Sequence, residues 1–539
     1  MKITVKTTPY SDQKPGTGGL RKKVTVYQQP NYIENYTQSI IDVLQFTEKN
    51  IVVSGDGRYL MPEALQSILK LCIANGVVQV IVAKDGMCST PACSLLVRKY
   101  NLAGGIILSS SHNPGGPKGD FGMKIETPDG QATDNINKLV YERSQNIQSY
   151  FSIDRKEPID LSKFGEQTID GTVIKVVDSV TDYAEEMERL FDFDLLRKMM
   201  TSGKFTMRFD GMNASSGPYA IRIFEEMLGA PKGTVVNGVP LPDFGGLHPD
   251  PNPTYAKHLV DFMASKDAAD FACASDGDSD RYMVLGKNFF LSPSDCLAIM
   301  AANSYMIPGY SKGLAGVARS MPTSAAVDRV CQSLGIDCYE TPTGWKFFSN
   351  LLSANKISLC GEESFGAGSS HLREKDGIWG ILYILNLLAA KDTHLKDMAE
   401  FHWKKFGRNY YQRHDFEEVE SSTGKAVMDH LLKQTKALVG KAMAGSKISK
   451  ADEFTYTDPV DNSVSEHQGM RFFFEDGSRI IYRLSGTGTK GATIRVYIEK
   501  FNEDYSKDLN DAIKDLVKAA YEIADLQNLT GRNEPTVIA

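Results

Sequence analysis

The sequence lacks any apolar run long enough to cross a bilayer. The longest, Gly377 to Ala390, falls short of the roughly 20 residues a spanning helix needs and reads as a buried helix. No apolar leader follows Met1-Lys2-Ile3-Thr4-Val5-Lys6. The eight cysteines, at 72, 88, 93, 273, 296, 331, 338 and 360, never form a Cys-x-x-Cys pair, and no histidine cluster accompanies them. Neither a disulfide framework nor a zinc site is expected, and reduced core thiols suit a cytoplasmic protein. A surplus of positive charge is missing too. Lys and Arg number 60 against 67 Asp and Glu, a formal net charge of −7. That argues against nucleic acid as the main partner. It leaves open small anionic ligands, which need only a local cluster of Arg and Lys. Low-complexity segments are absent, which removes support for an adhesive or scaffold role.

What is present is a recurring pattern. Ile51-Val-Val-Ser-Gly-Asp-Gly-Arg58 reads as strand then loop, Pro62 to Ala74 as a helix closed by Gly76, and Val77 to Ala83 as a second strand. The same order returns at Phe205–Gly217, with a helix from Tyr219 to Leu228 and Gly229 after it. It returns again at Leu314–Thr323, with a helix to Leu334, Gly335 and a short strand from Ile336 to Tyr339. Strand, loop, helix, glycine, strand is the signature of a βαβ unit and of mainly parallel sheets. For 539 residues, a length of about 150 residues per domain gives three or four domains. The expected fold class is therefore α/β: three related mixed α/β domains plus a C-terminal α+β domain, around a central cleft. The expected divisions are 1–178, 179–304, 305–404 and 405–539. The charged stretch Lys391–Asp415 shows no clear period and holds the last boundary near its middle. In the final quarter, Arg471 to Arg483 reads as a hairpin turning at Glu-Asp-Gly. Ala492 to Glu499 reads as a half-buried strand, and a long helix runs from about Asp508 to Leu526.

Four loops carry chemistry. Ile106 to Leu108 reads as a buried strand that stops in Ser109-Ser110-Ser111-His112-Asn113-Pro114-Gly115-Gly116, presenting hydroxyls beside an imidazole. Asp276-Gly-Asp278-Ser-Asp280-Arg281 sets three carboxylates at alternate positions. They can converge on one hard cation, Mg²⁺ or Mn²⁺. This is not a calcium loop, because Lys287 stands where the twelfth ligand would fall. Glu362, Glu363 and Ser364 follow the expected strand Lys356 to Leu359 and can hydrogen-bond adjacent sugar hydroxyls. The loop at Thr343-Gly344-Trp345 offers backbone groups and an aromatic face. Arg483-Leu-Ser485-Gly-Thr487-Gly-Thr489, with Arg495 in the next strand, suits a phosphate dianion. It lacks the Gly-Lys-Ser/Thr ending of a nucleotide-binding loop. A further basic, Gly-rich loop, Lys14 to Arg21, can reach a phosphate. A hydroxyl, a cation site, a polyol-binding loop and a phosphate cradle together suit phosphoryl transfer on a phosphorylated sugar.

Taken in order and spacing, these motifs resemble the α-D-phosphohexomutase superfamily, and within it the eukaryotic-type phosphoglucomutases. Thr341-Pro-Thr-Gly-Trp-Lys-Phe-Phe348 and Arg373-Glu-Lys-Asp-Gly377 sharpen the likeness, which spans nearly the whole chain. The resemblance implies a phosphoserine at Ser111 and Mg²⁺ on Asp276, Asp278 and Asp280, with Ser111 as the remaining protein ligand. It places Arg21, His112 and Lys124 beside the transferring group, with no single acid/base singled out, and Arg281 supporting that group. Thr343, Gly344, Glu362, Ser364 and Lys375 would read the sugar, while Arg483, Ser485, Thr487 and Arg495 would clamp its non-reacting phosphate. The implied reaction interconverts glucose 1-phosphate and glucose 6-phosphate through glucose 1,6-bisphosphate, which also primes the enzyme. Its partners would be hexose phosphates, with no nucleic acid and no membrane, and its assembly a monomer or a dimer. A mannose-directed or dual-specificity mutase, or a parafusin-like regulatory phosphoprotein, is the alternative. The chain departs from the family's usual Thr-Ala-Ser-His at Ser109 and Ser110, and carries Ser279 and Gly18 where glycine and serine are usual.

Overall fold

Three sheets repeat one arrangement. In the first, Asn50–Gly55 lies between two parallel neighbours, Gln79–Ala83 and Gly105–Leu108, and Asp120–Thr127 returns antiparallel beside Gly105–Leu108. In the second, Met207–Asp210 lies between Val235–Val236 and Phe271–Ser275, with Tyr282–Gly286 returning. In the third, Gly316–Ser320 lies between Asp337–Thr341 and Leu359–Gly361, with Ala367–Ser369 returning. Helices make the parallel crossovers, as the geometry requires: Met61–Ala74, Ser216–Ala220 running on into Ile221–Met227, and Ala326–Leu334. This is a computed structural model, and it describes residues 1–16, 18–486 and 491–539.

The repeat fixes where function can sit. In each unit the chain turns back from its third strand into an antiparallel neighbour. The three equivalent turns hold Ser111, the aspartates 276–280 and Glu362. All three leave the carboxyl end of a strand, where ligands of open α/β sheets bind. One large apolar cluster, from Val52 and Ile107 through Phe271 to Leu359 and the helix Gly377–Lys391, ties the three units together. Among the described residues no helix is long and apolar enough to cross a membrane, and the eight cysteines are all free.

The fourth sheet has seven antiparallel strands. At its centre Met470–Phe474, Arg479–Gly486, Ala492–Asn502 and Arg408–Val419 pair in that order. Alternate residues take opposite faces. Ile480, Tyr482, Ile494, Val496 and Ile498 join the core under Ser421–Ala437 and Leu509–Ile523. Ile481 and Tyr497 pack with Met321 on the other side. There Tyr411 Oη donates to Pro322 O at 2.8 Å, Arg479 Nη1 to Met321 O at 3.0 Å, and Ser324 Oγ to Glu499 Oε1 at 2.6 Å. The strand expected to be half-buried is therefore covered on both faces, because the third unit docks on the face that the helices leave open.

Other differences have local causes. Tyr219–Leu228 is helical as expected, but widened into π-type turns over Ile221–Met227. The strand expected at Lys356–Leu359 forms at Leu359–Gly361. The stretch read as lacking a period holds a helix, Leu395–Phe406, and then the strand Arg408–Val419, broken at Gly407 with φ +77. The C-terminal helix is interrupted by Asp525, which takes a left-handed conformation between Leu509–Ile523 and Leu526–Thr530. Pro293–Ala302 packs on Ala326–Leu334 and Leu359–Gly361.

Candidate active site

Ser111 is fully buried and adopts φ +51, a left-handed conformation unusual for a residue with a side chain. Its loop is held from beneath. Ser111 N donates to Ser109 Oγ at 2.8 Å, and Ser109 Oγ donates to Asp56 Oδ2 at 2.7 Å. Arg58, also fully buried, grips the same carboxylate through Nε at 3.0 and 2.9 Å and through Nη2 at 2.8 Å. Its remaining donors reach Ser111 O at 2.6 Å and Asp120 O at 2.9 Å. Sequence reading passed over this clamp, although Gly55-Asp-Gly-Arg58 stood at the end of a recognised strand. A charged pair ending an otherwise apolar strand was the available signal.

The second unit closes onto this loop. Ser111 Oγ donates to Asp276 Oδ2 at 3.0 Å and lies 3.3 Å from His112 Nδ1. A Cβ on Gly277 would sit 2.4 Å from Ser111 O, so only glycine allows the two backbones to approach this closely. Asp276, Asp278 and Asp280 are all buried, and their carboxylate oxygens lie within 4.8 Å of one another. Asp278 Oδ1 and Asp280 Oδ1 are buried with no hydrogen-bond partner among the described residues. Crowded acceptor-only oxygens of this kind suit a hard cation, so the residues present fit a metal. Ser279 adopts φ +64, a left-handed conformation unusual for a residue with a side chain.

Basic side chains surround the aspartates. Lys124 Nζ lies 2.5 Å from Asp278 Oδ2 and 3.4 Å from Asp280 Oδ2, and Lys375 Nζ lies 2.9 Å from the latter. Burial disfavours the charge on Lys124, but Asp278 and Asp280 outweigh it and hold its pKa above the ordinary value. Burial also opposes ionisation of Asp278, yet Lys124 brings its pKa well below the usual carboxylate range. Asp276 is pushed the other way by burial and by Asp280 and Asp278. Burial, then Arg281 and Arg21, drives His112 well below its ordinary value, so its imidazole is neutral at physiological pH. Burial likewise lowers Arg21, whose Nε has no hydrogen-bond partner among the described residues. Arg281 lies between Asp250, at 3.7 Å, and Asp280, at 3.9 Å. Thr90, also missed from sequence, donates to Asp278 Oδ2 at 2.5 Å, and its N–H to Asp278 O at 2.9 Å.

The third unit supplies Glu362, whose Oε1 accepts from Gly344 N at 3.1 Å and whose pKa burial raises. Lys375 runs across Gly366, where a Cβ would meet its Cδ at 2.6 Å. Thr343 Oγ1 is buried with no hydrogen-bond partner among the described residues, and Ser364 is half-buried. In the fourth unit Arg483 and Arg495 stand directly opposite each other on neighbouring strands, and Arg483 Nη1 donates to Tyr497 Oη at 3.2 Å. Ser485 is two residues further along the same strand face; Thr487 lies outside the described residues. Arg21, Ser111, His112, Lys124, the aspartates, Arg281 and Lys375 thus form one cluster. Arg483 and Arg495 form a second, on the sheet face that meets the third unit.

Models of phosphoglucomutase/phosphomannomutase α/β/α domains I, II and III match residues 12–151, 181–288 and 293–406. The phosphoglucomutase-1 C-terminal domain model matches 408–536. The chain is 51% identical over 540 residues to a phosphoglucomutase of Rhizobium radiobacter, covering 99% of each. The chain belongs to the phosphoglucomutase family. A phosphoglucomutase-1 of Oryctolagus cuniculus is 47% identical, again over 99% of both chains. The exocytosis-sensitive phosphoprotein pp63/parafusin of Paramecium, a phosphoglucomutase solved in an open form, superposes with a TM-score of 0.93. It is 45% identical, with 100% of this chain and 99% of that one covered. This is an enzyme family, and the domain architecture expected from the repeated βαβ pattern is that of its members.

Proposed function

We propose that the chain interconverts glucose 1-phosphate and glucose 6-phosphate through a phosphoserine at Ser111 and a glucose 1,6-bisphosphate intermediate. One observation carries this reading: Ser111 Oγ, on a strained loop, touches Asp276 of the aspartate triad at 3.0 Å. A hydroxyl at that point, ringed by Arg21, Lys124, Arg281 and Lys375, suits a group that carries a phosphoryl dianion rather than an acyl group. Mg²⁺ held by Asp276, Asp278, Asp280 and Ser111 would neutralise charge on the transferring phosphoryl group.

In the first half-reaction the P–O bond to Ser111 Oγ breaks and a bond to the attacking sugar oxygen forms. The proton lost by the sugar hydroxyl equals the proton gained by Ser111 Oγ, so the exchange needs no co-reactant. Neutral His112, with Nδ1 at 3.3 Å from Oγ, is our choice to hold that proton in transit. Arg21, Lys124 and Arg281 stabilise the equatorial oxygens. Thr343, Gly344, Glu362, Ser364 and Lys375 read the sugar hydroxyls. Arg483, Ser485, Thr487 and Arg495 grip the phosphate that does not react. The bisphosphate then turns over in the cleft and returns its other phosphate to Ser111. A monomer or dimer in the cytoplasm, acting on small hexose phosphates, completes the reading.

Comparing turnover on glucose 1-phosphate and mannose 1-phosphate tests the substrate. A strong preference for the glucose compound is expected. Equal rates would favour a dual-specificity mutase, and an inactive protein carrying phosphate on Ser111 would favour a regulatory phosphoprotein.

A further inference from the structure

The phosphate-gripping face carries an acidic residue among its arginines. Along one row of the fourth sheet, Arg483 pairs with Arg495, and Arg495 pairs with Asp415. Asp415 is buried, and its Oδ1 lies 3.1 Å from Arg413 Nε and 3.8 Å from Arg495 Nε. Arg413 belongs to the adjacent row, opposite Tyr497, whose hydroxyl accepts from Arg483 at 3.2 Å. Two like charges placed directly opposite on neighbouring strands repel each other, and Asp415 offsets that repulsion from one side. It has the same sign as an arriving phosphate dianion, so it also limits how tightly the row can hold one.

That limit matters if the row grips the idle phosphate, a reading on which this inference rests. The bisphosphate intermediate must exchange its two phosphates between Ser111 and the row. A grip too tight would trap one orientation. We propose that Asp415 is a built-in counter-anion of the phosphate-gripping row that keeps its hold reversible, and so sets how fast the bisphosphate reorients. It acts through Arg413 and Arg495, as a positioning residue that touches no reacting atom.

Replacing Asp415 by Asn keeps its shape and removes its charge. We expect the KM for glucose 1-phosphate to fall about fivefold, the size of one partly buried charge interaction. We also expect kcat to fall, and less glucose 1,6-bisphosphate to escape into the medium during turnover. D415E should restore wild-type behaviour. Should D415N be unstable, D415S removes the same charge and carries the same expectation. A residue serving only to hold the sheet together would instead raise KM and lower the denaturation midpoint. Arg483→Ala, measured alongside, separates the two levels of the argument. If R483A leaves KM unchanged, the row is not a phosphate grip and the functional reading fails there. If R483A raises KM while D415N raises it or leaves it unchanged, the counter-anion proposal alone is overturned.

Discussion

Arg58→Lys tests whether the catalytic loop is held by the fork of one buried guanidinium. Arg58 places donors on both Asp56 oxygens, on Ser111 O at 2.6 Å and on Asp120 O at 2.9 Å. An ammonium is a single point with a shorter reach to each side. It can remain on Asp56, but at least one of the two carbonyls then loses its donor. A buried acceptor left unpaired costs about 1–3 kcal/mol, so the unfolding free energy should fall by that amount and lower the urea midpoint. Arg58→Ala should cost more, about 3–5 kcal/mol, because it also strands the Asp56 carboxylate. Catalysis should suffer beyond stability. Ser111 sits at φ +51, and the bond to its carbonyl is one of the contacts that hold it there. A shift of about 1 Å in a reacting group can cost about 100-fold. The assay is kcat/KM and phosphoryl occupancy of Ser111 at a urea concentration where the variant is still fully folded. An R58K protein with an unchanged midpoint and unchanged kcat/KM would refute the reasoning.

Thr90→Val removes the hydroxyl that donates to Asp278 at 2.5 Å. Metal affinity should drop by about 10- to 100-fold, read by Mg²⁺ titration of activity; an unaltered titration curve counts against a metal held by Asp278. Burial, then Glu126, pushes the Glu374 carboxyl up to about 8. The folded state therefore keeps a proton that the unfolded chain releases above its ordinary pKa. Stability should decline as pH rises from about 4.5 to about 8, by up to about 1.4 kcal/mol per pH unit. Glu374→Gln should flatten that slope in urea titrations at several pH values, and parallel slopes would contradict the assignment. Ser279→Gly relieves a left-handed serine at φ +64 and should add up to about 1 kcal/mol of stability with activity retained. A clear loss of stability would mean that the Ser275 Oγ contact at 3.2 Å matters more than the backbone.

Much of the fold was legible because its repeat is written in local signals. Strand, loop, helix and glycine recur at Ile51, Phe205 and Leu314, and each signal depends on residues close in sequence. What stayed hidden was packing between units. Alternation from Ala492 to Glu499 implied one wet face, but Met321, Pro322 and Ser324 cover it from a distant part of the chain. Ser111, Lys124, Arg281 and Lys375 do come together around the aspartates. Arg58 and Thr90 went unread for a different reason. Each acts by hydrogen-bonding the backbone or carboxylate of a residue 53 or 188 positions away, and no local pattern encodes such a partner.

The account stands most directly on phosphoryl transfer through Ser111. Purified protein incubated with glucose 1,6-bisphosphate should gain the mass of one phosphoryl group, located by peptide mapping at Ser111. During turnover of glucose 1-phosphate carrying a labelled phosphate, the label should pass to Ser111, while Ser111→Ala should neither gain mass nor turn over substrate. A Ser111→Ala protein with full mutase activity would contradict the account.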